Sequence, residues 1–530
     1  MAGPQADTPK RSAAAVILAP VESETSVESR TQPEALEAPI EPARSQRPYR
    51  RRFYQRPVVV LLAFTALAGG LRFYHLSNPP GYVFDEVYYA KDGCYDAGFP
   101  YRSCKLKTPG EQTFTVHPPL GRWMIAGGEA AFGNRPFGWR VASAIAGTLS
   151  VLLLGLLALR LFDSVTWAGI AALLLATESL NFVQSRISML DIFVTGFVIG
   201  GFLFLVLDRQ WIDRRTPVLP EPVEGEGEAA DDDDFEFGPD RAPSPIFRPW
   251  RLAAGVTFGA AAATKWSGIP PIVLAVLLAM AWERSRRKRL RLRRPLFEAI
   301  RDESFGIFWF LVFVPVVVYM ASYADWFVRN GFDLGGWWDT QRGMALFSLN
   351  LRAGHPWSSR PWTWLAMEGP VSYYYKCVGP LKGCRPAEIL AVGNPIIFWG
   401  SVLAFPYTLV TGILRRDWRA SVIFGTFAVQ YLPWFLAART TFFFYMTPMT
   451  PFMVLAVIYM IRDTGQLTGR LTSRLRWEIA PVAAAVVILA VALFVFFFPV
   501  LTARPVSHES WQARMWFKTW TCGVSGKGCG

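Results

Sequence analysis

The sequence predicts an all-α protein that crosses a membrane many times. Three observations carry this reading. Of 530 residues, 52% are hydrophobic, with a mean hydropathy of +0.24. The apolar residues fall in repeated long runs, each near the ~20 residues that a spanning helix needs. The runs are continuous rather than alternating, and only helices and closed barrels satisfy their backbones in lipid, so the spans are helices.

Residues 1–43 are rich in Ala, Pro, Glu, Ser and Thr without periodicity, and no apolar signal-peptide core lies near the start. A disordered cytoplasmic tail is therefore expected over 1–52, followed by a transmembrane domain over 53–501. Spans are expected at roughly 56–74, 137–161, 164–181, 189–207, 251–267, 269–283, 304–323, 391–414, 419–437, 440–461 and 479–501, about eleven in all. The net charge is +13, and its basic runs abut these spans. Six arginines lie in Arg44–Arg56 and nine basic residues in Arg284–Arg301; Arg415-Arg416 and Arg462–Arg476 add more. Positive loops face the cytoplasm, which puts the N-terminus inside and the C-terminal tail, 502–530, outside. Anionic lipid, not nucleic acid, is the expected partner of these basic runs.

Two outer loops are long, 75–136 and 324–390. The longest inner loop, 208–250, holds Asp231-Asp232-Asp233-Asp234, read as a solvated acidic stretch rather than a metal site. All six cysteines fall in outer segments: Cys94 with Cys104, Cys377 with Cys384, and Cys522 with Cys529. Three close-spaced pairs on the oxidising side favour local disulfides. Zinc is the disfavoured alternative, because no histidine sits at ligand spacing.

The residues that could carry chemistry collect on the outer side. Asp85-Glu86 follows the first span, and His117-Pro118-Pro119 precedes the second. Asp191 opens a later span, Lys265 ends another, and Arg140 lies just inside the span after the first outer loop. Ionisable groups at such depth are costly and usually functional. A carboxylate there can act as base on a hydroxyl, and a lysine and an arginine can hold a phosphate. The set suits transfer from a lipid-phosphate donor. A transporter is disfavoured, since no internal repeat is evident and the polar residues cluster at one face.

Phe84-Asp85-Glu86, His117-Pro118-Pro119-Leu120-Gly121, Ser185-Arg186 through Leu190-Asp191, and Thr264-Lys265-Trp266 together resemble the protein O-mannosyltransferases of the GT-C glycosyltransferase superfamily. His355-Pro356-Trp357-Ser358-Ser359-Arg360-Pro361-Trp362-Thr363-Trp364 and Pro370 to Tyr375 are similar to the actinobacterial branch. The likeness covers roughly 55–520. It implies a GT-C fold and inverting transfer of mannose from a polyprenyl-phosphate donor to Ser or Thr hydroxyls of secreted or translocating proteins at the outer face of the plasma membrane. A lipid or cell-wall glycan acceptor is the alternative, and the secretion translocon is a candidate partner.

The resemblance further implies Asp85 as base, Glu86 as a positioning group, and Arg140 and Lys265 on the donor phosphate. His117 and Asp191 match motif positions and are expected to bind substrate. His355, Trp362 and Trp364 are expected on the acceptor side and Tyr374 to bind substrate, with an interfacial aromatic belt as the blander reading of this Trp- and Tyr-rich loop. The second outer loop is too short for the extra carbohydrate-binding-like domain of eukaryotic members. No cofactor beyond the lipid-linked donor is required; a divalent cation on the acid pair is the disfavoured alternative.

Overall fold

Proline opens many of the long apolar helices, where an N–H would have no partner within the helix and the fixed φ suits the first turn. The computed structural model describes residues 56–108, 116–217, 242–352, 354–380, 383–471 and 476–522, the side chains of 466–480 and 522 excepted. The expected tail 1–52, the acidic stretch 218–241 and Cys529 lie outside the described residues.

The chain begins with α1 (Pro57–Phe73), then α2 (Glu86–Asp96) and α3 (Leu120–Phe132) in the first long loop. Next come α4 (Pro136–Phe162), α5 (Val165–Ala176), α6 (Ser179–Gln184), α7 (Leu190–Asp213), α8 (Pro249–Thr264), α9 (Pro270–Arg289), α10 (Pro295–Phe308) and α11 (Val314–Ala321). The second long loop holds α12 (Ala324–Asn330), α13 (Leu334–Asn350), α14 (Pro361–Trp364) and an antiparallel hairpin of β1 (Val371–Val378) and β2 (Arg385–Ala391). The helices α15 (Pro395–Arg415), α16 (Trp418–Tyr431), α17 (Thr450–Leu471) and α18 (Arg476–Leu501) complete the bundle, and α19 (His508–Gln512) and α20 (Lys518–Cys522) follow.

Among the described residues, seven helical stretches are long and apolar enough to cross a membrane; Pro57–Phe73 and Val165–Ala176 are apolar but shorter. Phe443–Gly465 is the most enclosed, with 94% of its apolar window buried, whereas Pro295–Ala321 has 22%. The outer helices turn Leu277, Leu403, Ile488 and Val495 outward. Apolar surface of this extent on a soluble monomer would be anomalous; on a multi-pass membrane protein it is the lipid face.

Several expected spans are interrupted. The run over 164–181 breaks after Ala176, where the buried Glu178 carboxylate accepts from Leu180 N and Asn181 N and opens α6. Lys265 to Gly268 separates α8 from α9 by an extended residue and a 3₁₀ turn. The run over 419–437 leaves α-helix at Tyr431, and Leu432–Leu436 forms a 3₁₀ turn carrying Pro433. Phe443–Met449 is likewise 3₁₀ before α17. These breaks fall at the end of the bundle that carries both long loops. The chain is also not purely helical, since the hairpin occupies the Tyr373–Tyr375 run. Its register skips Tyr373, with Ser372 opposite Leu390 and Tyr374 opposite Ile389. Such an irregularity re-aims a side chain.

Two of the three expected disulfides are present. Cys94 is bonded to Cys104, and Cys377 to Cys384 across the mouth of the hairpin. The third expected bond, from Cys522 to Cys529, is not among them. Cys522 ends α20, its side chain is not described, and Cys529 falls beyond the described residues.

Two buried arginines tie the end of α1 to the segment after α5. Arg72 donates to Leu175 O, Ala176 O, Asn181 Oδ1 and Ser185 Oγ. Arg186 donates to the carbonyls of Leu71, Arg72, Tyr74 and His75, at and just past the C-terminus of α1.

Candidate active site

Asp85 stands at the N-cap of α2, yet its side chain makes no capping bond. An N-cap acid ordinarily satisfies the first free N–H groups of its helix. The preceding Phe84 takes a left-handed φ of 50° and packs its ring 4.6 Å from Tyr373 and 5.7 Å from Phe444. That turn frees the Asp85 carboxylate, which accepts no hydrogen bond among the described residues and is half-buried. Burial pushes its pKa up to about 7; Lys265 holds it down, and Asp191 adds to the rise.

Glu86, the next residue, has the opposite environment. It is fully buried and forms a two-pronged pair with Arg140, at 2.8 and 2.9 Å, while also accepting from Val83 N and Ser188 N. Arg140 gives its remaining N–H groups to Leu76 O, Pro79 O and Gly81 O. A guanidinium has five N–H donors, and all five are engaged within the protein. No N–H of Arg140 is left for a donor phosphate, contrary to the expectation from sequence. The pair instead fastens the 76–86 loop to α4 and to the start of α7.

Lys265 leaves the end of α8 in an extended conformation, φ −160°, which carries its ammonium to the first turn of α7. There it meets both Asp191 oxygens, at 2.9 and 3.0 Å, with Lys265 7% exposed and Asp191 2%. The ammonium also lies 4.7 Å from the Tyr445 ring centroid and 6.0 Å from that of Phe444. A lysine has three donors, so this pair leaves one for a ligand.

Aromatic residues surround these groups. Tyr89, Tyr373 and Tyr445 each lie within electrostatic range of Asp85 and Asp191. Tyr373, the residue skipped by the hairpin register, accepts a 2.6 Å bond from Gln184 Nε2. His117 sits 6.2 Å from Tyr89, centroid to centroid. Burial, with Lys265 and Arg439 nearby, pushes its pKa well below the usual imidazole range, so it is neutral. His355 packs against Phe84 and Phe442 and accepts from Trp357 N.

The other second-loop candidates separate. Trp364 is fully buried behind Tyr445 and donates to Ser359 Oγ, whereas Trp362 is 63% exposed. Tyr374 alternates away from Tyr373 and packs half-buried against the bundle. The sequence reading assigned no individual site role to Tyr89, Tyr373, Tyr445 or, above all, Arg439. Arg439 Nη2 donates to Tyr445 Oη at 3.3 Å, and among the described residues no carboxylate pairs with it. A signal existed: Arg439 is the one charged residue between Arg419 and Arg462. No three His, Cys, Asp or Glu side chains converge as a metal ligand set among the described residues.

A helical bundle with buried and half-buried carboxylates at its looped end has the architecture of the integral-membrane GT-C glycosyltransferases. The chain superimposes on the S. cerevisiae protein O-mannosyltransferase Pmt1–Pmt2 complex bound to the sugar donor, with a TM-score of 0.68 at 13% identity, over 88% of this chain and 93% of that one. It also superimposes on ArnT from Cupriavidus metallidurans in the apo state, with a TM-score of 0.50 at 15% identity, over 86% and 77%.

Sequence relationships define the family within that class. Residues 116–216 match the dolichyl-phosphate-mannose-protein mannosyltransferase family, and 334–520 match the C-terminal four-helix membrane region of protein O-mannosyltransferases. The chain is 32% identical over 434 residues to the polyprenol-phosphate-mannose–protein mannosyltransferase of Mycobacterium tuberculosis (strain ATCC 25618 / H37Rv), covering 76% of this chain and 81% of the relative. It is 29% identical over 505 residues to the Corynebacterium glutamicum enzyme of the same name, covering 88% and 93%. The chain belongs to the protein O-mannosyltransferase family and is a glycosyltransferase.

Proposed function

We propose that the protein transfers mannose, with inversion, from polyprenyl-phosphate mannose to Ser or Thr hydroxyls of proteins emerging on the outer face of the plasma membrane. The observation that carries this is Asp85: a carboxylate with no hydrogen-bond partner among the described residues, within electrostatic range of the Lys265–Asp191 pair. Asp85 takes the proton from the acceptor hydroxyl as its oxygen bonds to the anomeric carbon. The bond from that carbon to the phosphate oxygen breaks, and polyprenyl phosphate leaves with the electron pair. Its negative charge is met by the spare donor of Lys265 and by Arg439, while Asp191 orients Lys265. Glu86 and Arg140 are positioning residues that fix the loop carrying Asp85. Neutral His117 and half-exposed His355 flank the acceptor side.

Eleven spans, with the N-terminus inside, are the topology that goes with this reading. The basic runs Arg284–Arg301 and Arg415-Arg416 then lie at the end of the bundle opposite Asp85, and both described disulfides lie at its own end. The deciding test is an assay of purified protein with labelled polyprenyl-phosphate mannose and a Thr-containing peptide. Mannosyl peptide is the expected product; label appearing only in glycan or lipid acceptors would overturn the reading.

A further inference from the structure

Next to Arg439 lies a cavity of about 500 Å³, and its charge is one-sided. Arg352, Arg360 and Arg439 line it together with Ser358, Thr363 and Trp362. None of the three arginines forms an ion pair among the described residues. Their convergence is built in. Thr440 N donates to Leu351 O at 3.1 Å. Ser359 N donates to Thr441 O at 3.0 Å, and Thr441 Oγ1 returns a bond to Ser359 O at 2.6 Å. Each arginine is one residue from a clamped position, so two strands of loop present three guanidinium groups to one space. Like charges gathered without a counter-charge repel each other, and a bound anion relieves that repulsion.

The surroundings specify the rest of the ligand. Leu432 and Leu436, on the turn that leads into Arg439, are 60% and 89% exposed, and Trp362 is 63% exposed. A cationic cavity flanked by exposed apolar surface at the looped end of a membrane bundle suits an anion that carries a hydrocarbon tail. Arg439 connects it to the reacting groups through its bond to Tyr445. The charge arithmetic of transfer then chooses between donor and product. The donor phosphate is a diester with one negative charge, whereas the released lipid phosphate is a monoester carrying about −1.5 to −2 at pH 7. Two extra arginines favour the form with the extra charge.

We infer that the Arg352–Arg360–Arg439 cavity receives the lipid phosphate monoester released by transfer, a product site next to the reaction site. This rests on the proposed mannosyl transfer. The test uses full-length protein in detergent and farnesyl phosphate as the probe, comparing wild type with R352Q/R360Q. Both substitutions lie on exposed side chains, and matching thermal transitions would verify that the variant is folded. The variant is expected to bind farnesyl phosphate about tenfold more weakly, a loss of ~1.4 kcal/mol. R352K/R360K, which keeps charge but loses the two-pronged geometry, should fall between. Equal affinity in wild type and R352Q/R360Q would overturn the site. Displacement of the probe by phosphatidylglycerol at equal concentration would also overturn it, by making bulk anionic headgroups the occupant. Mannosyl transfer by wild type is measured in parallel. Its absence would sink the proposed reaction, while the binding comparison would still decide whether the cavity holds a lipid phosphate.

Discussion

Helix α7 carries a buried carboxylate near each end, and the two ends have opposite electrostatic designs. Near its C-terminus, Asp208 accepts from Arg248 at 2.7 and 2.9 Å and from Arg251 at 3.2 Å. Glu283 and Glu303 join these arginines with Arg286, Arg287 and Ser244, so every carboxylate oxygen of the three acids accepts a bond. At its N-terminus, Asp191 has one cationic partner, Lys265, and Asp85 beside it has no hydrogen-bond partner among the described residues. Depth alone marks both ends as functional. Saturation separates them: a carboxylate whose lone pairs are all engaged holds structure together, and an unengaged one is available to a substrate. By this criterion Glu86 belongs with the far end of α7, although Asp85 is its neighbour in sequence.

The largest effect should come from the unsaturated end. Asp85→Asn removes the proposed base without removing a bond and is expected to cut turnover by about 10²–10⁴-fold while the protein still folds. Single-turnover transfer to peptide by purified variant checks it. Near-normal turnover would leave the lack of partners at Asp85 without a catalytic meaning.

Saturated sites should fail in the other way. Asp208→Asn and Arg140→Lys each strip a buried network of a partner, a change that typically costs ~3–5 kcal/mol. Folded yield and melting temperature are expected to drop, while the molecules that do fold keep the wild-type KM for donor. A folded Arg140→Lys with normal melting and a raised donor KM would return Arg140 to the phosphate and break the comparison. Arg439→Gln is the intermediate case. Losing the proposed charge-assisted bond to phosphate, ~1.5–3 kcal/mol, should weaken donor use by roughly 10- to 100-fold in kcat/KM, without loss of fold.

The same distinction explains what could be read from sequence. Apolar runs located the helical bundle because membrane spans are encoded locally, residue by residue. The bonded pairs Cys94–Cys104 and Cys377–Cys384 were legible because their partners lie 10 and 7 residues apart. Asp191 and Lys265 stood out as ionisable groups at the ends of spans, and Asp85 as one of an acid pair just past the first span. Saturation is not local. Glu86 and Arg140 are 54 residues apart, and the carbonyls that use up Arg140 belong to a loop whose path no hydropathy pattern describes. Trp362 and Trp364 looked alike, but two residues on a helix are about 200° apart, so one is exposed and the other supports Tyr445. Tyr373 is buried on the same face of β1 as Val371 while Tyr374 is half-buried, a difference that the Tyr-Tyr-Tyr run does not reveal.

The smallest expected effect tests the electrostatics of the reactive end directly. As the proposed base, Asp85 must be deprotonated to accept the hydroxyl proton, and burial pushes its pKa up to about 7. The rate of transfer should therefore rise with pH through that value and then level off. Burial is the main cause of the elevation, with Asp191 adding to it and Lys265 opposing it. Asp191→Asn removes a negative charge from beside Asp85 and leaves Lys265 un-neutralised, and both changes favour the carboxylate. The acid limb of the pH–rate profile should move to lower pH, even where the maximal rate falls because Lys265 is less well held. Stability has the complementary sign. A folded-state pKa raised from 3.8 to about 7 means that the contribution of Asp85 is fully present below the unfolded value and is lost as pH rises through about 7. Asp85→Asn should therefore flatten the dependence of melting temperature on pH across that window. An Asp191→Asn limb that stayed in place, or moved to higher pH, would show that the group titrating in the profile is not Asp85.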